Sequence, residues 1–356
     1  MMKSMSRRSE SGTTLVEVLV ALAVGMLVSV IALASAQTFS GMGRLQSGQG
    51  SALAAAAGAM DAFRHDVQLS GLGFFSESSA LCPRINLAFD GSVLQDAAPF
   101  APLRIVPGAN GSDRVEVAYA RDVTAGAANR LLAAMAQPMD AAVLRAGATV
   151  RTGDVVLLAN PAAAVPCTVA TAGQTSVDAT GQVSVSFASA GGFTPASWAA
   201  GFSELPAYAD TASLSVLGDL RWFAYEVQSD RLERVDLVTG ERSVISRGVV
   251  QLRAQYGLAG SADGNTIEQW VDAQTGGGLT ESDWNRLRVL RVAVVAINGE
   301  AERPSASGAC DATPVAPVLW DQETAALAAR AGWMCHRYRV WSTWIGLRNL
   351  QWGRDS

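Results

Sequence analysis

Histidine is nearly missing: 356 residues contain two, His65 and His336. A histidine-rich metal site or a Ser-His-Asp triad therefore has almost no material to work with. There is no GxSxG elbow, no phosphate-cradling glycine loop and no metal-ligand spacing, so no catalytic constellation is visible and no cofactor or metal is expected. Charge is scarce as well, at 17% of residues with a net −5 and a pI near 5.2. The absence of a basic stripe beyond the first residues excludes a nucleic-acid partner, because phosphate neutralisation needs clustered Lys and Arg. Cysteine is limited to Cys82, Cys167, Cys310 and Cys335, with no CxxC among them. An even, widely spaced set reads as two disulfides if the bulk of the chain is exported.

What the chain has in quantity is apolar surface, 49% of residues, with a mean hydropathy of +0.19. Much of it lies in one segment. From Val18 to Ala36 the run VLVALAVGMLVSVIALASA is apolar apart from serines, and Glu17 is the only charge between Glu10 and Arg44. About 20 such residues span a hydrocarbon core of roughly 30 Å. Lys3, Arg7 and Arg8 precede the run, which leaves the N-terminus cytoplasmic and sends the rest of the chain outward. A secretory signal peptide also has a basic start and an apolar core, but this run exceeds the usual h-region of 7–15 residues. Glu17 sits inside its first turns, where a carboxylate costs a few kcal/mol unless it finds a partner.

The junction SG/TTLVEVLVALAVG resembles the class III signal of type IV prepilins and type II secretion pseudopilins. The resemblance implies a prepilin peptidase that cuts on the cytoplasmic side between Gly12 and Thr13, N-methylation of Thr13, and Glu17 as the fifth mature residue. Major pilins usually carry Phe at the new first position, whereas this chain has Thr13, which points to a minor rather than a major subunit. Independently of the family, a carboxylate four residues beyond a free amine is placed to neutralise the amine of a neighbouring helix in a low-dielectric bundle and so set axial register.

Beyond the run, Gly41, Gly43, Gly48 and Gly50 predict a kink or a partly melted turn, since each costs a helix about 1 kcal/mol against alanine. Leu53, Ala56, Ala57, Met60, Phe63, Arg64 and Val67 then recur at i, i+3, i+4, i+7 spacing, with His65, Asp66 and Gln68 turned away. A loop-rich region follows to about Gly111, and Leu131 to Ala148 is alanine-rich enough for a short helix. Period-two alternation predicts strands through Val115, Val117 and Tyr119, through Val155 to Leu158, and through Val183, Val185 and Phe187. LRWFAYEV, RLERVDLV and VVQLRAQYGL read as an antiparallel meander, followed by strands in RLRVLRVAVVAI and HRYRVWSTWIGLRNL. The fold class is α+β: a long N-terminal hydrophobic helix, continuing into an amphipathic helix packed on a C-terminal antiparallel sheet. The expected divisions are a leader at 1–12, a membrane and assembly helix at 13–37, a glycine-interrupted stalk at 38–70 and a β-rich periplasmic head at 71–356.

This order, the strand near Leu287 to Ile297 and the terminal RYRVWSTWIGLRNL resemble the PilW family of minor pilins. That resemblance implies other minor pilins, the major pilin and prepilin peptidase as partners, a tip adhesin as cargo, and passage from the inner membrane to the pilus fibre or its tip. Two alternatives stay open at this stage: a type II secretion pseudopilin, which shares the N-terminal features, and a membrane-anchored periplasmic enzyme. SADGNT at Ser261 to Thr266 offers Asp263 and Asn265 to calcium but lacks the further carboxylates of an EF-hand, so a hairpin turn is the better reading. Trp320, Trp333, Trp341, Trp344 and Trp352 are read as core or interface residues, with carbohydrate binding as the alternative. Among three possible cysteine pairings, proximity in sequence favours Cys82 with Cys167 and Cys310 with Cys335.

Overall fold

The computed structural model describes residues 14–74, 82–121, 128–160, 162–272, 279–298, 301–302, 304–305 and 307–350. It divides into two compact units, Met1–Ser51 and Ala52–Ser356. One helix, α1 (Leu15–Leu69), opens the chain. Gly41, Gly43, Gly48 and Gly50 lie within it with helical backbone throughout, so the partly melted turn is absent. Glycine weakens a helix without closing off its φ/ψ, and propagation across an isolated glycine costs far less than a new nucleus.

Within the second unit the chain runs β1 (Arg84–Phe89), β2 (Ser92–Pro99), β3 (Leu103–Pro107), β4 (Asp113–Arg121), β5 (Asn129–Arg130), β6 (Ala142–Leu144), β7 (Val155–Ala159), β8 (Cys167–Val177), β9 (Val183–Phe187) and α2 (Trp198–Gly201). It continues through β10 (Ser213–Gln228), β11 (Arg231–Asp236), β12 (Arg242–Arg247), β13 (Val249–Ala259), β14 (Ile267–Asp272) and α3 (Glu281–Arg286). β15 (Leu287–Ile297), β16 (Val318–Trp320), β17 (Glu323–Thr324) and β18 (Tyr338–Gly346) complete the order. The α+β class stands, but three local expectations do not. The region before Gly111 forms β1 to β3 rather than loop, because its prolines fall at strand ends and between strands: Pro83, Pro99, Pro102 and Pro107. The alanine-rich stretch from Leu131 to Ala148 is bends, turns and β6 rather than helix. Pro138 interrupts it, and its one ordered piece pairs with β9 through Ala142↔Val185 and Leu144↔Val183.

The third correction concerns the meander. β12 intervenes after β11, and β13 leaves for another sheet, so β10, β11 and β12 end one sheet while β14-β13-β15-β18 make a second. β10 is the long spine of the first. Its start pairs with β7 and its end with β4 and β11, and the register shifts at Gly218, whose φ of +66° suits glycine. The one parallel contact among the described strands is β1 with β8.

The two sheets face each other across one core. β4 turns Val115, Val117 and Tyr119 into it, as the alternation predicts, and the second sheet supplies Leu252, Ala254, Tyr256, Leu290, Val292 and Val294. Tyr256 is wholly buried, and its hydroxyl accepts the Ile105 N–H at 2.6 Å, tying sheet to sheet. A polar seam runs alongside: Asp113 accepts from the Ala254 N–H at 2.8 Å and from Arg253 at 2.7 Å. Burial pushes the Asp113 carboxyl above its ordinary value, and these two donors oppose the shift. From Val292 to Ile297, β15 is apolar on both sides because both are covered. Its outward Ala293 and Val295 pack beneath Leu319, Ala325 and Leu327 of the β16–β17 flap.

Candidate functional site

Gly12 and Thr13, the expected cleavage and methylation positions, lie outside the described residues. At the start of α1, Thr14 and Glu17 stand in N-cap and N3 positions. The Glu17 N–H donates to Thr14 Oγ1 at 3.4 Å and the Thr14 N–H donates to Glu17 Oε2 at 3.3 Å, the reciprocal arrangement of a capping box. Among the described residues Glu17 has no partner outside this turn. Leu15–Leu33 is long and apolar enough to cross a membrane, with a mean hydropathy of 2.6 and none of it buried. Its one internal hydroxyl is already satisfied, since Ser29 Oγ donates to the Gly25 carbonyl at 2.8 Å.

In the head, the other end of α1 buries Met60, Phe63 and Val67 in the shared core. Arg64, expected on this stripe, is exposed, while Asp66, expected to face away, is buried. The reason is chemical. Tyr119 Oη donates to Asp66 Oδ1 at 2.8 Å and Tyr225 Oη donates to Asp66 Oδ2 at 2.6 Å, so each carboxylate oxygen receives a phenol from a different strand. Arg234 approaches to 3.7 Å while its guanidinium lies 4.4 Å above the Phe223 ring. A buried carboxylate is tolerable when its acceptor sites are filled and a cation is near. Burial, reinforced by the Asp66 charge, holds both phenols well above the usual tyrosine range, so they remain donors at neutral pH. Phe63 completes the joint with an edge contact to Tyr225 at 5.1 Å.

Two signals in sequence pointed to this site. Asp66 borders the apolar arc on the Phe63 side, and Tyr119 and Tyr225 sit at inward strand positions where a buried hydroxyl needs a partner. Spacing alone did not join them, because the phenols are 53 and 159 residues away.

The cysteines pair as Cys82–Cys167 and Cys310–Cys335, with Cα separations of 5.6 and 4.7 Å. The first lies beside the parallel contact where Cys167 registers with Ile85. The second clamps the flap loop to the turn before β18. On the chain-entropy model such closures contribute about 4.5 and 3.5 kcal/mol. Ser261 to Asn265 is a turn, with the Gly264 N–H donating to the Ser261 carbonyl at 3.2 Å. Arg288 donates to the Gly264 carbonyl at 2.8 Å and also to that of Ala262, placing a cationic side chain on the turn. Among the described residues no group of three His, Cys, Asp or Glu is arranged to hold a metal. Of the late tryptophans, Trp344 is 64% exposed and Trp341 37%, Trp320 and Trp333 pack against the flap core, and Trp352 lies outside the described residues.

Comparison with known proteins agrees with this layout at both ends. Residues 230–349 match the model of Type IV Pilus-assembly protein W. Residues 7–33 match the prokaryotic N-terminal methylation motif. Among solved structures, the type IV-like pilin TTHA1219 from Thermus thermophilus aligns over 82% of this chain and 93% of its own, at 12% identity and a TM-score of 0.33. The comparison with curated proteins returned no match. The methylation-motif match spans the apolar helix and the PilW match covers the second sheet, so the chain is similar at both ends to type IV pilus-assembly proteins of the PilW type.

Proposed function

We propose that the chain is cut between Gly12 and Thr13, methylated at Thr13, and packed through α1 into the pilus or its tip complex, with Glu17 neutralising the amine of an adjacent subunit. The observation that carries this reading is Glu17 itself. It is the one charge in a fully exposed apolar span, held only by its own first turn among the described residues. A lone carboxylate in hydrocarbon is unfavourable until a cation joins it, and a methylated α-amine is such a cation. Before assembly the chain sits in the inner membrane with its head in the periplasm, where both disulfides form. Prepilin peptidase, the major pilin and other minor pilins are the expected partners, and a tip adhesin is the expected cargo. The role is structural rather than enzymatic.

N-terminal sequencing or intact mass of membrane-extracted protein tests the cut. A mature chain that begins at Thr13 with one added methyl supports the proposal, and a chain that begins after Ala36 refutes it.

A further inference from the structure

On the outward face of the second sheet, two indoles pack against each other. Trp270 of β14 and Trp344 of β18 meet with ring centroids 5.1 Å apart and planes at 55°. Trp270 lies across Gly257 of β13, where an added Cβ would come within 2.8 Å of its ring and 2.4 Å of Val289. Glycine here makes room for the ring. The Arg291 guanidinium stacks 4.2 Å from Trp270 and 4.8 Å from Trp320. Arg291 is only 6% exposed, and it donates to Gln255 Oε1 and, at 2.9 Å, to Asp321 Oδ2. Gln255 in turn donates to Asp272 Oδ1 at 2.6 Å. Trp270 is thus fixed by glycine beneath and the Arg291 guanidinium alongside, while Trp344 leans on it and stays 64% exposed. Beside Trp344, an added Cβ at Gly346 would meet nothing within 4 Å.

An ordered, largely exposed tryptophan in a fixed aromatic pair is costly to leave in water without a function. Two features decide what covers it. The two rings together offer at most about 300–500 Å², an area that one or two sugar rings can cover. Their surroundings are hydrogen-bonding and acidic. Asp272 and Asp321, with side chains 60% and 73% exposed, flank the pair while ion-paired with Arg253 at 3.3 Å and Arg291 at 2.9 Å, and Glu268 is exposed two residues before Trp270. The nearest guanidinium, Arg291, is already occupied.

We infer that Trp270 and Trp344 form a stacking platform for an uncharged saccharide, one or two pyranose rings wide. The apolar C–H face of a sugar ring suits an indole face, and its hydroxyls suit the carboxylates around it. Asp113, Asp272, Asp321 and Glu323 outnumber the Arg253 and Arg291 guanidiniums that pair with them, which disfavours an anionic polysaccharide. The site lies wholly in the head and does not rest on the assembly reading above.

Intrinsic tryptophan fluorescence of the full chain in lipid nanodiscs, free of sugar-headed detergent, tests this during titration with cello-, malto-, manno- and chito-tetraose. The expected result is a saturable change with at least one of the four, weakened tenfold or more in Trp344→Ala and by a smaller factor in Trp344→Phe, with the unfolding temperature unchanged. An acidic oligosaccharide such as a hyaluronan tetrasaccharide is expected to give no saturation. Three outcomes overturn the proposal: no saturation with any of the four neutral probes, equal binding by Trp344→Ala, or preference for the acidic probe. Loss of co-purifying pilins in Trp344→Ala without sugar binding would assign the platform to a protein contact instead.

Discussion

Helix α1 carries one carboxylate in its first turn, Glu17, and another in its last, Asp66, and their surroundings are opposite. Glu17 is exposed in an apolar span and bonds only within its own turn among the described residues. Asp66 is 3% exposed, with a phenol on each oxygen and a guanidinium nearby. The same functional group thus serves two purposes. A carboxylate whose partners lie in its own fold locks helix to sheet; one whose partners do not is available to another molecule.

The sharpest way to break this contrast is to remove the internal lock. Asp66→Ala strips both phenols and Arg234 of their acceptor inside the core, and is expected to destabilise the head by about 3–5 kcal/mol. Chemical denaturation of the full chain in nanodiscs, followed by tryptophan fluorescence, measures it. A loss below 1 kcal/mol would mean that the site is not the anchor described here. The phenols give the next largest effect, about 1.5–3 kcal/mol for Tyr225→Phe and similar for Tyr119→Phe.

The phenols also fix a pH dependence. Their folded-state values are raised above the ordinary 10.0, so the stability they contribute is fully present below pH 10 and is lost as pH rises beyond it. Alkaline unfolding profiles should therefore steepen past about pH 10, and the Tyr119→Phe, Tyr225→Phe double variant should flatten them. Identical slopes for parent and double variant would contradict the assignment.

Arg234→Ala is expected to cost less, about 0.5–1 kcal/mol, because that guanidinium is partly exposed and its ion pair is long. Retention of the Phe223 contact by Arg234→Lys would be read as a smaller loss in the same denaturation assay. Smallest of all on this scale is Glu17→Ala, which should shift head stability by less than about 0.5 kcal/mol and leave membrane insertion intact. Its effect belongs to assembly: the amount of the variant in sheared fibres should fall several-fold. Equal amounts of variant and parent would remove the basis for an inter-helix role.

Legibility in the sequence followed the range of the forces. The membrane span was readable because 19 consecutive residues, Leu15–Leu33, carry the signal alone. Strand β15 was readable because covering both of its faces demands the apolar run from Val292 to Ile297. The cysteine pairing followed from sequence proximity. Weak patterns failed where partners set the structure. β1 to β3 looked like loop because prolines mark their ends, and Ala142–Leu144 looked helical until β9 gave it a strand to pair with.

Transfer free energy and period-two burial act residue by residue, so an apolar N-terminal helix with one carboxylate in its first turns and a β-rich head behind it are written in the residues alone. That Asp66 turns inward while Arg64 stays out, and that Trp270 lies across Gly257, follows from the assembled fold. The first depends on phenols delivered by β4 and β10, and the second on the register that sets Trp270 opposite Gly257. A helical wheel ranks a carboxylate as solvent-facing because it counts the cost of desolvation, and it cannot count hydrogen bonds from strands that are brought alongside only when the sheet closes.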